Sequence, residues 1–444
     1  MAQPAHPSDL LEAARAGAGE QELLDLDLPS TFRAAHTLKD EVGIFDGQAD
    51  KDVRRSLHVG EVAMPELAPD EVVVAVMAAA INFNTVWSAI FEPVPTFAFL
   101  EKFGRQGWHG ARHDLPYHIL GSDAAGVVVR CGSGVKGWKP GDRVVLSPSY
   151  VDEEDHGSYD DGMMSESQLA WGFETNFGAL GEFCVAKANQ LIRKPAHLTW
   201  EEAGSNTLCA ATAYRMLVGR HGARMRQGDV VLIWGATGGL GSFATQLVKN
   251  GGGVPVAVVS SDEKAGLVQA QGCEHVINRN ELGLGEQGLR HPKAGRVLGE
   301  AIRGLVGEDP GIVFEYLGRE TFGASVYVAK RGGTIITCGS STGYKHEYDN
   351  RFLWMRLKSI IGSHGFNYHE AVETNRLISL GMIHPTLSTV FPLEEAGAAT
   401  RAVQTNRHVG KVAVLCGTPK EGEGVTDHAL RDRVGEERLN LFRR

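Results

Sequence analysis

The sequence has no pair of cysteines at redox or metal-ligand spacing. Cys131, Cys184, Cys209, Cys273, Cys338 and Cys416 are scattered along the chain. That argues against a structural zinc lobe and a disulfide framework, and makes reduced thiols in a cytoplasm the expectation. No run of about 18 uncharged apolar residues occurs, so no membrane-spanning helix is expected. Met1 to Arg15 lacks the basic-then-apolar order of a secretory signal. Cations are not in excess either: 54 acidic against 44 basic residues leave a net charge of −10. A broad nucleic-acid-binding face is therefore not expected, and an anionic ligand has to be met by local basic pockets.

What the chain does have is 43% hydrophobic residues over 444 positions, enough for two or three domains with real cores. The first thirty or so residues read as a peripheral helix with loose flanks. From Glu61 short β-type runs appear (Glu71 to Val76, Gly126 to Arg130, Arg143 to Leu146), punctuated by turns such as Lys139-Pro140-Gly141-Asp142. This alternation predicts a small β-barrel-like domain. Val151 to Ser167 is polar and acidic and reads as a solvated insertion. Beyond a helix-like run from Ala210 to Gly219, buried-type apolar strands recur: Asp229 to Trp234, Val254 to Val259, His275 to Ile277, Ile312 to Tyr316, Gly333 to Cys338, Ser359 to Ile361. Helix-compatible segments separate most of them, among them Ser242 to Asn250 and Asp262 to Gln271. Strand and helix repeated in this way predict an α/β, doubly wound parallel sheet. A helical run, Glu370 to Gly381, and a strand, Lys411 to Leu415, are expected to return to the first domain. The tail from Gly417 is expected to be a solvated terminus or frayed helix. The predicted domains are 1–209 and 366–444 for the β-rich part and 210–365 for the doubly wound part.

Gly235-Ala236-Thr237-Gly238-Gly239-Leu240-Gly241 follows a predicted strand and opens a predicted helix. Glycines there permit a tight turn and let backbone N–H groups and the helix N-terminus approach a pyrophosphate. About 20 residues further on, an NAD site carries an acid for the ribose 2′-hydroxyl. Here Ser260 and Ser261 stand in that place, with Lys264 one helical turn away and Arg279 after the third strand. Hydroxyls and cations suit a 2′-phosphate, which favours NADPH. Asp262 and Glu263 are the counter-argument; as first-turn residues of a helix they are expected to face solvent. Cys338, ending a strand of the same sheet, is a further expected cofactor contact.

Metal-dependent alcohol dehydrogenases of this two-domain plan hold catalytic zinc with a Cys and a Gly-His-Glu motif. The matching places here read Ile81-Asn82-Phe83-Asn84 and Gly121-Ser122-Asp123. No thiolate or imidazole stands there for a soft metal, so no metal is expected. Hydride would go to an acceptor activated by hydrogen bonding, such as an enoyl thioester or a quinone.

Five segments carry a family resemblance over nearly the whole chain: Ile81 to Asn84, Trp171-Gly172-Phe173-Glu174-Thr175-Asn176, Gly235 to Gly241, Gly318 to Gly323, and His346 to Arg351. With Gly362-Ser363-His364, they resemble crotonyl-CoA carboxylase/reductases of the zinc-free medium-chain dehydrogenase/reductase superfamily. The resemblance implies a GroES-like catalytic domain joined to a Rossmann domain, in a homodimer or homotetramer. It implies NADPH-dependent reduction of an (E)-2-enoyl-CoA, with CO2 as co-substrate trapped at Cα to give an alkylmalonyl-CoA, a type of polyketide extender unit. The family's CO2-holding residues map onto Asn84, Phe173, Glu174 and His364. Arg331, Arg351 and Tyr327 are the expected contacts for coenzyme A, which needs a basic patch on an acidic protein. Gly365 and Ala170 stand where crotonyl-type relatives carry a bulky Phe and a branched aliphatic residue. The lost volume implies a medium-chain substrate such as 2-octenoyl-CoA, giving hexylmalonyl-CoA. A plain enoyl-CoA reductase and a non-catalytic NADPH-binding protein remain the alternatives at this stage.

Overall fold

The computed structural model describes residues 8–443; the first seven residues of the Met1–Arg15 stretch lie outside them. The predicted apolar runs form one six-stranded parallel sheet. Its spatial order is His275–Asn278, Val254–Val259, Val230–Trp234, Ile312–Glu315, Thr334–Thr337, Ser359–Gly362. Val230–Trp234 is buried along its whole length, as a strand covered by helices on both faces must be. The chain reverses its direction of travel across the sheet between this strand and Ile312–Glu315. Ligands of open α/β sheets bind at such a reversal, beyond the carboxyl ends of the strands.

The β-rich part centres on Glu71–Ile81, eleven consecutive buried residues. Ala124–Cys131 and Phe183–Lys187 pair with it, and Lys411–Leu415 pairs antiparallel with it in the register Val412 opposite Ile81. The strand near the C-terminus thus returns to the first sheet. Gly410 makes the joint between the two parts: its N–H donates to the Thr237 carbonyl at 2.6 Å, inside the glycine turn. No helix among the described residues is long and apolar enough to cross a membrane.

Two sequence expectations need correction. The early residues form two helices, Asp9–Ala16 and Glu20–Asp25, whose Leu10, Leu11, Ala14 and Leu23 are buried in the core, so they are not loosely flanked. The tail is docked as well. Val434, Leu439 and Phe442 are buried, and Arg431 grips Glu202 through two hydrogen bonds of 2.8 and 3.1 Å. Arg443 reaches Glu201 at 3.3 Å. Three apolar residues dispersed in a highly charged segment gave no periodic signal, and the glutamates that attract its arginines lie more than 200 residues earlier. Because Glu202 is only 1% exposed, Arg431→Ala leaves a carboxylate buried without its cation. The variant should lose about 3 kcal/mol of stability, read as a fall of several degrees in Tm; an unchanged Tm would show that the tail is not an anchor.

Candidate active site

A cleft of about 540 Å³ lies between the two parts, over the carboxyl ends of the parallel strands. One wall is the glycine turn. Gly235 has φ +56°, and a Cβ there would sit 2.6 Å from the Tyr316 hydroxyl, which donates to the Gly235 carbonyl at 2.7 Å. A Cβ on Gly241 would lie 2.4 Å from that same carbonyl. Only glycine lets turn and helix pack this closely. The helix Gly239–Asn250 begins with no side-chain cap, which leaves its N-terminus to the cleft as an anion site. Gly235, Thr237, Gly238, Gly239 and Leu240 line the cleft, whereas Ala236 and Gly241 are buried behind it.

Ser260, Lys264 and Arg279 line the cleft's far end. Lys264 Nζ donates to Ser260 Oγ at 3.3 Å, which places cation and hydroxyl side by side. Ser261 instead caps the helix Asp262–Ala270, accepting the Lys264 N–H. Asp262 and Glu263 are exposed in the first turn of that helix. This set fits the phosphate groups of a phosphorylated dinucleotide: a cradle a Cβ would fill, a cation beside a hydroxyl, and a second cation lining the same cleft. Cys338 also lines the cleft, and burial pushes its thiol up to about 12, so it is a neutral wall. His408, which sequence reasoning missed, faces the same space, its imidazole lowered to about 4 by burial and by the Lys411 and Lys264 cations.

The opposite wall carries a buried polar cluster. Lys411 Nζ, 2% exposed, lies 3.5 Å from Asp123 Oδ2, 3.3 Å from the Ile81 carbonyl and within hydrogen-bond reach of Asn82 Oδ1. Burial pushes the Asp123 carboxyl up to about 6 against the pull of Lys411, the Leu208 N–H and Asn82. Next to Asp123, Ser122 is fully buried, and Asn84 Nδ2 donates to its Oγ at 2.9 Å. The residues standing where zinc enzymes carry ligands are thus a hydroxyl, two amides and a carboxylate committed to an ammonium. They do not fit zinc, which takes three protein ligands of imidazole, thiolate or carboxylate type. Among the described residues no group of three or more such side chains converges anywhere.

Asn84, Ala170, His364 and Gly365 all line this cleft. Phe173 and Glu174 are not among its lining residues. Phe173 packs on Phe99, with ring centroids 6.0 Å apart, and Glu174 Oε2 accepts the Ala170 N–H at 2.8 Å. Glu174 therefore braces the turn that presents Ala170. Tyr327, Arg331 and Arg351 lie outside the cleft. Tyr327 packs against Phe352, Arg331 donates to the Met355 carbonyl at 3.1 Å, and Arg351 is paired with Asp349. Ser122 and Lys411 could have been found in the sequence: one replaces the histidine of a zinc motif, the other is a charge heading an apolar strand.

Comparison with known proteins agrees with this geometry. Residues 68–196 match the alcohol dehydrogenase GroES-like domain, and residues 239–379 match the family described as zinc-binding dehydrogenase. The chain is 54% identical to a crotonyl-CoA reductase of Streptomyces collinus over 95% of its own length and 96% of that protein's. It is 37% identical to the crotonyl-CoA carboxylase/reductase of Cereibacter sphaeroides, over 83% and 85%. Among solved structures it resembles the 2-octenoyl-CoA carboxylase reductase CinF in complex with NADP and 2-octenoyl-CoA. That likeness has 58% identity and a TM-score of 0.96, covering 98% of this chain and 99% of CinF. A GroES-like domain joined to a Rossmann-type sheet, a cleft at the reversal of strand order and whole-length identity of this degree place the chain in the crotonyl-CoA carboxylase/reductase family.

Proposed function

We propose that the protein reduces and carboxylates a 2-enoyl-CoA with NADPH, converting a medium-chain substrate such as 2-octenoyl-CoA to hexylmalonyl-CoA. The observation that carries this is the meeting, in one cleft, of the glycine turn with Asn84, Ala170, His364 and Gly365. The glycine turn and the Ser260, Lys264 and Arg279 set would hold the dinucleotide, with Ser261 capping the helix that presents Lys264. When bound, NADPH supplies a hydride for Cβ of the enoyl thioester. An electron pair then rests on Cα, conjugated with the thioester carbonyl, and either CO2 or a proton takes it. The chain's residues decide which. One N–H of Asn84 is spent on Ser122, which leaves its second to orient a CO2 oxygen; His364 offers a further donor. Phe83, Trp87 and Leu240 line the same cleft and keep water from the carbanion. Phe173 and Glu174 support the turn that carries Ala170.

Gly365 and Ala170 are small, and the relative with 58% identity was solved with 2-octenoyl-CoA, which supports a medium-chain preference. We assign 1–209 and 366–444 to the catalytic domain and 210–365 to the nucleotide-binding domain. Tyr327, Arg331 and Arg351 remain our candidates for the adenine and phosphates of coenzyme A. They lie near the edge strand Ser359–Gly362, where Trp354, Met355 and Leu357 are exposed. An apolar edge of this kind supports a homo-oligomer in which a second copy covers it. Six free cysteines suit a cytoplasmic setting.

The product partition tests the reaction. Asn84→Ala and His364→Ala should raise the ratio of saturated acyl-CoA to alkylmalonyl-CoA per NADPH oxidised by about tenfold, each removing roughly 1.4 kcal/mol of selectivity. An unchanged ratio in both variants would remove them from CO2 capture. The cofactor assignment is checked separately. Loss of a charge-assisted phosphate contact costs roughly 1.5–3 kcal/mol, so Lys264→Ala should weaken NADPH binding by at least tenfold and leave NADH binding nearly unaltered. Equal losses for both dinucleotides would contradict a 2′-phosphate role.

A further inference from the structure

The acidic segment read from the sequence as a solvated insertion is tied down at its centre. It leaves and re-enters the fold through a two-stranded pair, Ser149–Tyr150 with Leu169–Ala170, in which Ser149 lies opposite Ala170. Asp161, 4% exposed, forms ion pairs and hydrogen bonds with Arg215 at 2.7 and 3.3 Å and accepts from Asn367 Nδ2 at 3.1 Å. Arg215 also holds Glu370 at 2.8 Å. One buried guanidinium thus joins the insertion to the helices Thr207–Leu217 and Tyr368–Ser379, the latter starting just after Gly365 and Phe366. A buried ion network contributes little net stability; what it fixes is geometry.

The same Asp161 carboxylate accepts the N–H of Met163 at 3.1 Å, so the lock sets that residue's backbone. The Met163 side chain lines the cleft with Ala170 and Gly365. A Cβ on Gly365 would lie 3.0 Å from Met163 Cε. The volume left by the small residue at 365 is therefore met by a thioether from the insertion, while Phe366 stays fully buried beneath. Gly365 has φ +51°, so a larger side chain there would be strained as well as crowded. Methionine has three rotatable bonds and adapts to irregular space.

We infer that Met163 is the movable end wall of the acyl pocket and sets the chain length the enzyme accepts. The inference rests on the enoyl-CoA reading above. It turns the insertion from a surface loop into part of the substrate site, with a fixed backbone and a side chain that yields to the distal methylenes. The test is kcat/KM for crotonyl-, octenoyl- and dodecenoyl-CoA in wild type, Met163→Ala, Met163→Phe and Met163→Leu, with NADPH dissociation constants as a check on folding. Met163→Ala should shift the dodecenoyl-to-octenoyl ratio upward by about tenfold, and Met163→Phe should lower the octenoyl-to-crotonyl ratio by a similar factor. Met163→Leu should restore the wild-type order. If Met163→Phe fails to bind NADPH, the alanine variant decides alone. Superimposable chain-length profiles in folded, active variants would overturn the role of Met163 and leave the enoyl-CoA reading intact. Absence of turnover with every enoyl-CoA in wild type would overturn that reading and this inference with it.

Discussion

The buried ammonium of Lys411 is the constraint on which the cleft depends. An ammonium taken out of water at this depth is tolerated only with partners on several sides, and here those partners are Asp123, the Asn82 side chain and the Ile81 carbonyl. Lys411 heads a strand that pairs with the central strand of the β-rich part, and Gly410 before it is bonded to the glycine turn. Gly410 has φ +55°, and a Cβ there would fall 1.8 Å from the Thr386 carbonyl, so no other residue closes this seam. One cluster thereby sets the distance between the dinucleotide turn and the wall that carries Asn82, Asn84 and Ser122.

The chemistry follows from what that wall can and cannot offer. A site with imidazole and thiolate ligands would polarise a carbonyl through a metal. This wall offers amide and hydroxyl hydrogen-bonding groups, and its carboxylate and its ammonium are paired with each other. Such groups cannot activate a plain aldehyde strongly, but they can orient a neutral triatomic acceptor beside a carbanion that the thioester already stabilises. Selectivity between CO2 and a proton then depends on oriented donors and on dryness, both of which are properties of packing. Among these packing features, Glu174 accepts the Ala170 N–H and Phe173 packs on Phe99.

Much of the framework was legible because it is local. The strands Arg143–Leu146, Val254–Val259 and Lys411–Leu415 begin and end where their apolar runs do. The glycine turn was legible because its spacing and its place between strand and helix are both physical requirements. Less legible were features made by distant partners. Glu174 accepts the Ala170 N–H, a bond set by how the turn closes and not by any spacing in the chain. Met163 sits in an acidic, weakly patterned segment that is held to the cleft by distant partners, among them Arg215, 54 residues from Asp161. The docked tail was hidden for the same reason. Burial of a few apolar residues among many charges is decided by tertiary partners and leaves no period in the chain.

Capture of carbon dioxide, and not of a proton, by the electron pair released at Cα separates a reductive carboxylase from a plain reductase. Its most direct measurement is the fate of that carbon in the unmodified enzyme, supplied with 2-octenoyl-CoA, NADPH, carbonic anhydrase and 13C-bicarbonate in D2O. The expected product is hexylmalonyl-CoA bearing one 13C carboxyl group per NADPH oxidised, with little octanoyl-CoA carrying solvent deuterium at Cα. Octanoyl-CoA deuterated at Cα as the main product, with no 13C incorporated, would contradict it.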